Sequence, residues 1–274
     1  LGGNLTVPTL WGVAIIKIPP LTKTNQSFKL MDIGILNEKT NKKGGINLLI
    51  KGFQKLTLLD YPGKTACTVF TGGCNYRCPF CHNAGLVTKL DTEIISEGEV
   101  LSHLKKRQGI LDGVAISGGE PLLQGDIEEF LQGIKDLGYS IKLDTNGSFP
   151  EKLKSIIDKG LCDYVAMDIK NSKERYNETI GIDNFDISLM EKSVEILKDS
   201  DVDFEFRTTV TKNFHTMEDI EKIGEWIKGT EKYYLQNFVD SGNLIDSNVE
   251  GVSKEEADQI KEKLEAAGAS VEVK

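Results

Sequence analysis

The sequence predicts an α/β fold, a partial (β/α)6 TIM-like barrel whose parallel strands are covered by helices. Three observations predict it. Short apolar runs and amphipathic segments alternate about six times between residues 48 and 274. The runs have the length and composition of buried strands, and the segments have helical spacing. Residues with special chemistry follow five successive strands, which favours a ring of strands over the single crevice of a doubly wound sheet.

The elements follow one another in a regular order. The strand segments are, in chain order, KTACTVFTGG, GVAISGGE, SIKLDTNG, DYVAMDIK, DFEFRTTV, KYYLQNFV and SVEVK. The helical segments between them are EGEVLSHLKKR, DIEEFLQGIKDLG, PEKLKSIIDKG, SLMEKSVEILKD, TMEDIEKIGEWIKG and SKEEADQIKEKLEAAGA. The second helix shows the pattern most clearly, since its apolar residues recur at helical spacing: Ile127, Phe130, Leu131, Ile134 and Leu137. Such a succession gives a parallel sheet with helices outside it.

Residues 1–47 differ from the rest of the chain and are predicted to be a poorly ordered N-terminal extension. They show neither a helical nor a strand period, and they end in the polar, glycine-closed stretch NEKTNKKGG. The working domain is therefore predicted to span residues 48–274. A native arm that docks on this domain is the alternative.

Composition and charge indicate which partners to expect. The net charge of -9 opposes nucleic acid or an anionic membrane as the main partner, since both require a basic surface. No apolar stretch has the roughly 20 residues that a membrane-spanning helix needs, and no secretory signal is recognisable. The five cysteines are odd in number and clustered, which is typical of metal ligands rather than of a disulfide framework. A cytoplasmic protein is expected.

Three cysteines in FTGGCNYRCPFCHN form a C-x3-C-x2-C pattern: Cys74, Cys78 and Cys81. A structural zinc site is closed by four ligands, and His82 is poorly placed as the fourth because it directly follows the last cysteine. Two other cysteines lie in or beside apolar strands and are interpreted as core thiols: Cys67 and Cys162. Three thiolates fit a [4Fe–4S] cluster in which one iron stays open for a substrate or cofactor.

This cysteine pattern resembles that of the radical SAM family. The resemblance implies a radical SAM core in which the three thiolates hold a [4Fe–4S] cluster and S-adenosylmethionine chelates the fourth iron through its amino and carboxylate groups. SGGEPLLQ, after the next strand, resembles the family's glycine-rich segment, whose backbone approaches the ammonium of the cofactor. Four residues there are implied as cofactor contacts: Ser117, Gly118, Gly119 and Glu120. The last of these either orients the ammonium or structures the turn, and alone the segment would indicate only a turn.

Two later strand ends, LDTNG and MDIK, resemble the glycyl radical enzyme activating enzymes. In that family the matching residues surround a monovalent cation beside the cofactor carboxylate. The resemblance implies the same cation site here, at Asp144, Thr145, Met167 and Asp168. Taken alone, Asn-Gly would be a common turn, and the charged residues of MDIK an ordinary surface ion pair.

The same resemblance implies further groups near the cofactor. Lys170 is a charge partner for the carboxylates, and the family's arginine on the following strand matches Arg207 in FRTTV. Asp144, Asp168, Lys170 and Arg207 are thereby implied as cofactor-binding residues. The family's histidine after the last long strand is absent, and Gln236 stands near its place.

The resemblance covers residues 48–274 and is greatest, through KGFQKLTLLDYPGKTACTVFTGGCNYRCPFCHN, to the long activating proteins of anaerobic ribonucleoside-triphosphate reductase. It implies an oxidoreductase whose reduced cluster cleaves S-adenosylmethionine to a 5'-deoxyadenosyl radical. This radical would remove hydrogen from a glycine of a partner glycyl radical enzyme, where a stable radical remains. A flavodoxin or ferredoxin would supply the electron. No second set of cysteines is present for the extra ferredoxin-like clusters of some activating enzymes.

Several alternatives stay open at this point. Activation of pyruvate formate-lyase would use the same chemistry on another partner. A radical SAM enzyme of the 7-carboxy-7-deazaguanine synthase type would turn over a small molecule without a partner protein. A zinc module would lack iron and colour, and an iron–sulfur electron carrier would close its cluster with four thiolates. A barrel of about six strands should leave a lateral gap, which suits a bulky protein substrate.

A chain that starts at Asn47 is expected to fold, bind the cluster and cleave S-adenosylmethionine, because the regular pattern begins only after this residue. Circular dichroism, iron content and release of 5'-deoxyadenosine check this expectation, with the full chain assayed in parallel. Insolubility or loss of the cluster would show instead that residues 1–47 pack on the barrel.

Overall fold

The computed structural model of the protein describes residues 3–9, 12–18, 48–89, 93–240, 242, 244–246 and 248–273. The chain divides into two compact units, Leu1–Ile46 and Asn47–Lys274. The division lies next to residue 48, where the regular alternation of strands and helices begins.

The first unit contains an antiparallel hairpin that the sequence analysis does not predict. Strand β1 (Gly3–Thr9) pairs with strand β2 (Gly12–Ile18), and Val7 lies opposite Ala14. The statement that residues 1–47 lack a strand period is therefore wrong for these two segments. Residues 19–47 lie outside the described residues, so the predicted poor order of the extension stays a prediction.

The second unit is built on one sheet of eight strands. They are, in chain order, β3 (Ile50–Thr57), β4 (Ala66–Thr71), β5 (Gly113–Gly118), β6 (Ser140–Thr145), β7 (Tyr164–Asp168), β8 (Asp203–Val210), β9 (Tyr233–Asn237) and β10 (Val271–Val273). Their order in the sheet is their order in the chain, with β3 and β10 at the two edges. Strands β4 to β10 are parallel, whereas β3 runs antiparallel to β4. Because the edge strands do not pair with each other in the described part of the chain, the sheet is an open, partial barrel, which confirms the predicted fold class.

Eight helices of the described residues accompany the sheet. They are α1 (Ala84–Thr88), α2 (Glu97–Lys106), α3 (Ile127–Asp136), α4 (Pro150–Asp158), α5 (Tyr176–Ile180), α6 (Ser188–Lys198), α7 (Met217–Trp226) and α8 (Lys254–Ala266). The six longer helices are the predicted ones, whereas α1 and α5, with five residues each, are too short to show a helical period. Within the ranges that the structure covers, no helix has the length and apolarity needed to cross a bilayer.

The predicted core face of α3 is buried. Its residues Ile127, Phe130, Leu131 and Ile134 are all inaccessible to solvent or nearly so. They lie at the spacing that brings side chains to one side of a helix, and this side packs on the sheet. Helices α7 and α8 begin with capping boxes, in which Thr216 and Ser253 accept a hydrogen bond from the backbone three residues on.

Strand β3 is the element of the sheet that the sequence analysis misses, and its connection to β4 closes the amino-terminal end of the barrel. Tyr61 in this connection is buried and packs against Tyr164 of β7, with 6.2 Å between ring centroids. Gly113, the first residue of β5, leaves room for the Tyr61 ring, since a Cβ there would lie 2.9 Å from it. The ammonium of Lys64 lies 5.6 Å above the same ring. Tyr61 therefore fills the end of the barrel opposite the carboxyl ends of the strands.

Replacement of Gly113 by alanine is expected to destabilise the domain by about 1–3 kcal/mol, because the added methyl group overpacks the Tyr61 ring and the Ser140 carbonyl. Urea unfolding measures this effect. Gly98 in α2 has no neighbouring atom within 4 Å of the position that a Cβ would take, and Gly98→Ala should leave stability unchanged or raise it by up to about 1 kcal/mol. Equal stability of the two variants would contradict the tight packing of the Tyr61 ring against Gly113.

Candidate active site

A cavity of about 420 Å³ lies at the carboxyl ends of the strands. Its size is in the ordinary range for small-molecule sites. The structure brings most of the sequence-predicted site residues together in its lining: Cys74, Cys78, Cys81, Ser117, Gly118, Gly119, Asp144, Thr145, Asp168, Lys170 and Arg207. The two remaining predicted residues, Glu120 and Met167, are fully buried behind this lining.

The three cysteines of the cavity lie in the loop that follows β4. Cys74 and Cys78 are buried, and Cys81 is partly buried. Burial raises the pKa of Cys74 to about 12 and that of Cys78 to about 11, and the ammonium of Lys170 is the largest influence that lowers the latter pKa. Without a metal these thiols are therefore protonated at neutral pH, and metal binding must displace their protons.

The number of thiols bears on the group that the site could hold. Three thiols line the cavity. A structural zinc site is closed by four ligands, whereas three thiolates can bind three irons of a [4Fe–4S] cluster and leave the fourth iron open. The donor set therefore fits the cluster better than zinc.

The two other cysteines of the chain lie away from the cavity. Cys67 in β4 is fully buried, and Cys162, which precedes β7, is 6% exposed. Both belong to the hydrophobic core of the second unit. Burial raises the pKa of each thiol to about 12. They have the surroundings of the core thiols that the sequence analysis predicts.

The glycine-rich segment after β5 packs directly on the cysteine loop. The amide of Gly119 donates to the Thr71 carbonyl at 2.9 Å, and the amide of Glu120 donates to the Gly73 carbonyl at 2.8 Å. A Cβ on Gly119 would overlap the Gly73 carbonyl oxygen, and Gly118 has a φ of +126°. Only glycines allow this approach. The segment thus has a structural role that its resemblance to a cofactor-binding loop does not reveal.

Glu120 connects three loops of the site. One carboxylate oxygen accepts hydrogen bonds from the Leu122 amide at 2.9 Å and the Thr145 hydroxyl at 2.8 Å, and the other accepts from the Asn146 amide at 2.7 Å. Burial raises the pKa of Glu120 to about 7, although these three donors act to lower it. Of the two roles that the sequence left open, the geometry favours the structuring of the turn.

Charged residues form an alternating row across the cavity. Asp168 accepts from Arg207 Nε at 2.9 Å and from Lys170 Nζ at 2.9 Å. Asp144 pairs with Lys142 and lies 3.6 Å from Arg207. Burial acts to raise the pKa of both carboxyl groups, but the neighbouring cations outweigh it and hold the pKa of Asp168 well below its usual range. Both carboxylates are therefore ionised at neutral pH.

The monovalent cation site implied at the ends of β6 and β7 finds no support in these contacts. The oxygens of Asp144 and Asp168 are engaged by protein cations, and the Thr145 hydroxyl donates to Glu120. Met167 is fully buried, and its sulfur lies against Gly147. The cation stays a prediction of the sequence resemblance.

Two uncharged polar residues of the site, Asn146 and Asn83, are not predicted from the sequence. Asn146 donates to the Cys74 sulfur at 3.7 Å, and Asn83 donates to the Gly118 carbonyl at 3.2 Å. Asn146 belongs to LDTNG, where Asn-Gly was interpreted as a turn signal. Gln236 lines the cavity, at the place where the resemblance expects a histidine, and lies 3.5 Å from the Thr209 hydroxyl.

Two protein-family models match parts of this sequence. The family model of the radical SAM superfamily matches residues 68–227. A second family model, of the ribosomal protein L7/L12 C-terminal domain, matches residues 236–274. In this protein that segment contains α8 and β10, and β10 is an edge strand of the eight-stranded sheet.

Relatives and solved structures extend the comparison. A candidate glycyl-radical enzyme activating enzyme of Methanocaldococcus jannaschii is 34% identical over 194 residues, which are 69% of this chain and 80% of that protein. A second one from the same organism is 27% identical over 187 residues, or 66% of this chain and 70% of that protein. A crystal structure of a radical SAM methyltransferase from Sphaerobacter thermophilus matches 80% of this chain and 68% of its own with a TM-score of 0.61 and 13% identity. At 13% identity, the similarity to the methyltransferase structure shows only that the two proteins share a fold.

The residues of the cavity fit the groups that the radical SAM family implies, a [4Fe–4S] cluster and S-adenosylmethionine. Three thiols line one cavity, which is the number of protein ligands that a [4Fe–4S] cluster with one open iron needs. At Gly118 and Gly119, which have no side chains, the cavity wall consists of backbone atoms. Lys170 and Arg207 bring positive charge to the opposite side, where a carboxylate can bind.

Protein purified without oxygen is expected to contain four irons per chain, because the site offers one set of three thiols. Replacing Cys74, Cys78 or Cys81 by alanine should abolish the cluster, as judged by iron and sulfide analysis and by the brown colour. Cys67→Ala and Cys162→Ala are the matched controls and should retain it. Zinc in place of iron, or eight irons per chain, would contradict this assignment.

Proposed function

We propose that this chain, which belongs to the radical SAM superfamily, is an activating enzyme that generates a glycyl radical on a partner enzyme. The identity of 34% to a candidate activating enzyme over 80% of its length supports this class of partner. We further propose that the partner is an anaerobic ribonucleoside-triphosphate reductase, on the resemblance of the segment KGFQKLTLLDYPGKTACTVFTGGCNYRCPFCHN. A flavodoxin or ferredoxin is the proposed electron donor.

The observation that carries the proposal is the open barrel around the thiol-lined cavity. The cavity lies at the carboxyl ends of the strands, and the edge strands β3 and β10 leave the described sheet unclosed. A closed barrel of eight strands fills its interior with layers of side chains. The open form instead leaves a route by which a polypeptide loop can reach the cavity.

When bound, the cluster and S-adenosylmethionine would supply the radical chemistry that removes a hydrogen atom from the target glycine. The protein binds and orients these groups and excludes water from them. Cys74, Cys78 and Cys81 would hold the cluster through their sulfur atoms. The backbone of Gly118 and Gly119 forms the wall beside the cysteine loop.

The row of charges selects the end of the cofactor that carries a carboxylate. Lys170 and Arg207 are the cations of this row that line the cavity. Both contact Asp168, and Arg207 also lies near Asp144. Burial acts to lower the pKa of Lys170, but the Asp168 carboxylate raises it, so the ammonium keeps its charge at neutral pH. A carboxylate of the cofactor would bind beside Lys170 and Arg207 through charge-assisted hydrogen bonds.

Reduced protein mixed with S-adenosylmethionine and an anaerobic ribonucleotide reductase is expected to give a glycine-centred doublet in the electron paramagnetic resonance spectrum. The signal should require both proteins, and it should disappear when the target glycine of the reductase is replaced by alanine. A parallel mixture with pyruvate formate-lyase tests the other partner class.

Lys170→Met provides a matched variant for the same assay. It should retain the cluster but lower the radical yield at least about tenfold, because one charged contact to the cofactor is lost. Absence of a glycyl radical on either partner, together with turnover of a small substrate without a partner protein, would contradict the proposed function and favour a small-molecule radical SAM enzyme.

A further inference from the structure

We infer that Asn146 is a positioning residue for the cluster: its side-chain amide donates a hydrogen bond to the Cys74 sulfur and thereby raises the reduction potential of the cluster that this sulfur binds. Asn146 follows β6, on a different loop from the cysteines. Its Nδ2 lies 3.7 Å from Cys74 Sγ and 2.9 Å from Asn75 Oδ1. Both hydrogens of the amide are thus directed at the cysteine loop.

The orientation of the Asn146 amide is fixed by its other end. Asn146 Oδ1 accepts from the Ser148 backbone amide at 3.0 Å and from the Ser148 hydroxyl at 2.6 Å. A backbone N–H can only donate, so the atom that faces it must be the oxygen of the side-chain amide. The nitrogen must therefore face Cys74.

A closed ring of hydrogen bonds holds the donor in place. Asn75 Nδ2 donates to the Ser148 hydroxyl at 2.8 Å, while Asn75 Oδ1 accepts from Asn146. From the other side, the backbone amide of Asn146 donates to the buried carboxylate of Glu120 at 2.7 Å. Asn146 and Cys74 are 6% and 8% exposed, so water competes little for either group. The amide is therefore preorganised as a donor.

The effect on the cluster follows from charge. One-electron reduction adds negative charge to the cluster and its thiolates, and a donor N–H stabilises this form more than the oxidised form. The Tyr76 amide, 3.4 Å from Cys74 Sγ, is a second donor to the same sulfur. Both donors act on one of the three thiolates, where the low dielectric of a buried site strengthens them.

The proposal rests on the cluster and not on the proposed glycyl radical function. The reduction potential is measured on cluster-loaded protein alone, without S-adenosylmethionine and without a partner enzyme. The electron comes from low-potential mediator dyes at a controlled potential. A failure of the glycyl radical assay therefore leaves this test unaffected, and the reverse also holds.

The experiment compares Asn146→Ala with Ser148→Ala in a redox titration followed by electron paramagnetic resonance. Asn146→Ala removes the donor and should lower the ratio of reduced to oxidised cluster at a fixed potential by about threefold to tenfold, where tenfold corresponds to a shift of about 59 mV for one electron. Ser148→Ala is the matched control within the same ring. It keeps the backbone donor that orients Asn146, and it should change the ratio less than about twofold.

Asn146→Asp is a second variant of nearly the same shape, which keeps Oδ1 and replaces the donor by a carboxylate oxygen. It should lower the potential further than Asn146→Ala. Resonance Raman spectra in D2O give a direct signature, since the deuterium shift of the iron–cysteine stretch should be smaller in both Asn146 variants than in the unsubstituted protein.

Three results would overturn the inference. One is an unchanged potential in a cluster-loaded Asn146 variant. Another is an equal shift in Ser148→Ala, which would assign the effect to the loop and not to the donor. The third is failure of the isosteric Asn146→Asp variant to bind a cluster, because Asn146 would then be needed to build the site.

Discussion

The contact between the glycine-rich segment and the cysteine loop is the constraint on which the rest of the cavity depends. The Gly73 carbonyl lies so close to Gly119 that no Cβ fits between the two backbone segments. This approach places the Glu120 carboxylate behind the cavity, where it receives donors from the loop after β6. Three loops are thereby fixed to one another by backbone contacts and one buried acid. The position of the first thiol depends on this arrangement, because Cys74 directly follows Gly73.

The fold could be predicted from sequence because each longer helix and each parallel strand has its own periodic pattern. Strand β3 escaped prediction because FQKLT is half exposed and carries no regular alternation, and its partner is set by the hairpin to β4. The thiol residues of the site could be found from their spacing, and the charged residues from the resemblance of the strand ends that contain them to a known family. Asn146 could not, because its role depends on a contact with Cys74 across 72 positions of sequence. In a sequence, an Asn that donates a hydrogen bond within a site cannot be distinguished from an Asn that only forms part of a turn.

The polar interior of this barrel differs from a hydrophobic core in how it is stabilised. Lys142 is 3% exposed and is balanced by Asp144. Glu205 on β8 is likewise buried and accepts from the Tyr164 hydroxyl at 2.6 Å. Breaking such a pair leaves an uncompensated charge, which costs more than the pair contributes. Arg207 on β8 also contacts Asp168 on β7 and Asp144 on β6, so charge links different strands near the cavity in addition to packing.

The agreement between the order of strands in the sheet and their order in the chain has a consequence for how the domain is assembled. Every new strand pairs with the one made just before it, from β3 through β10. No strand has to wait for a later one to fill a place between two neighbours. The sheet can thus grow in one direction as the chain emerges from the ribosome, starting from a local hairpin whose loop costs little entropy to close. The edge of the described sheet that forms last is short, since β10 has three residues in the described part of the chain.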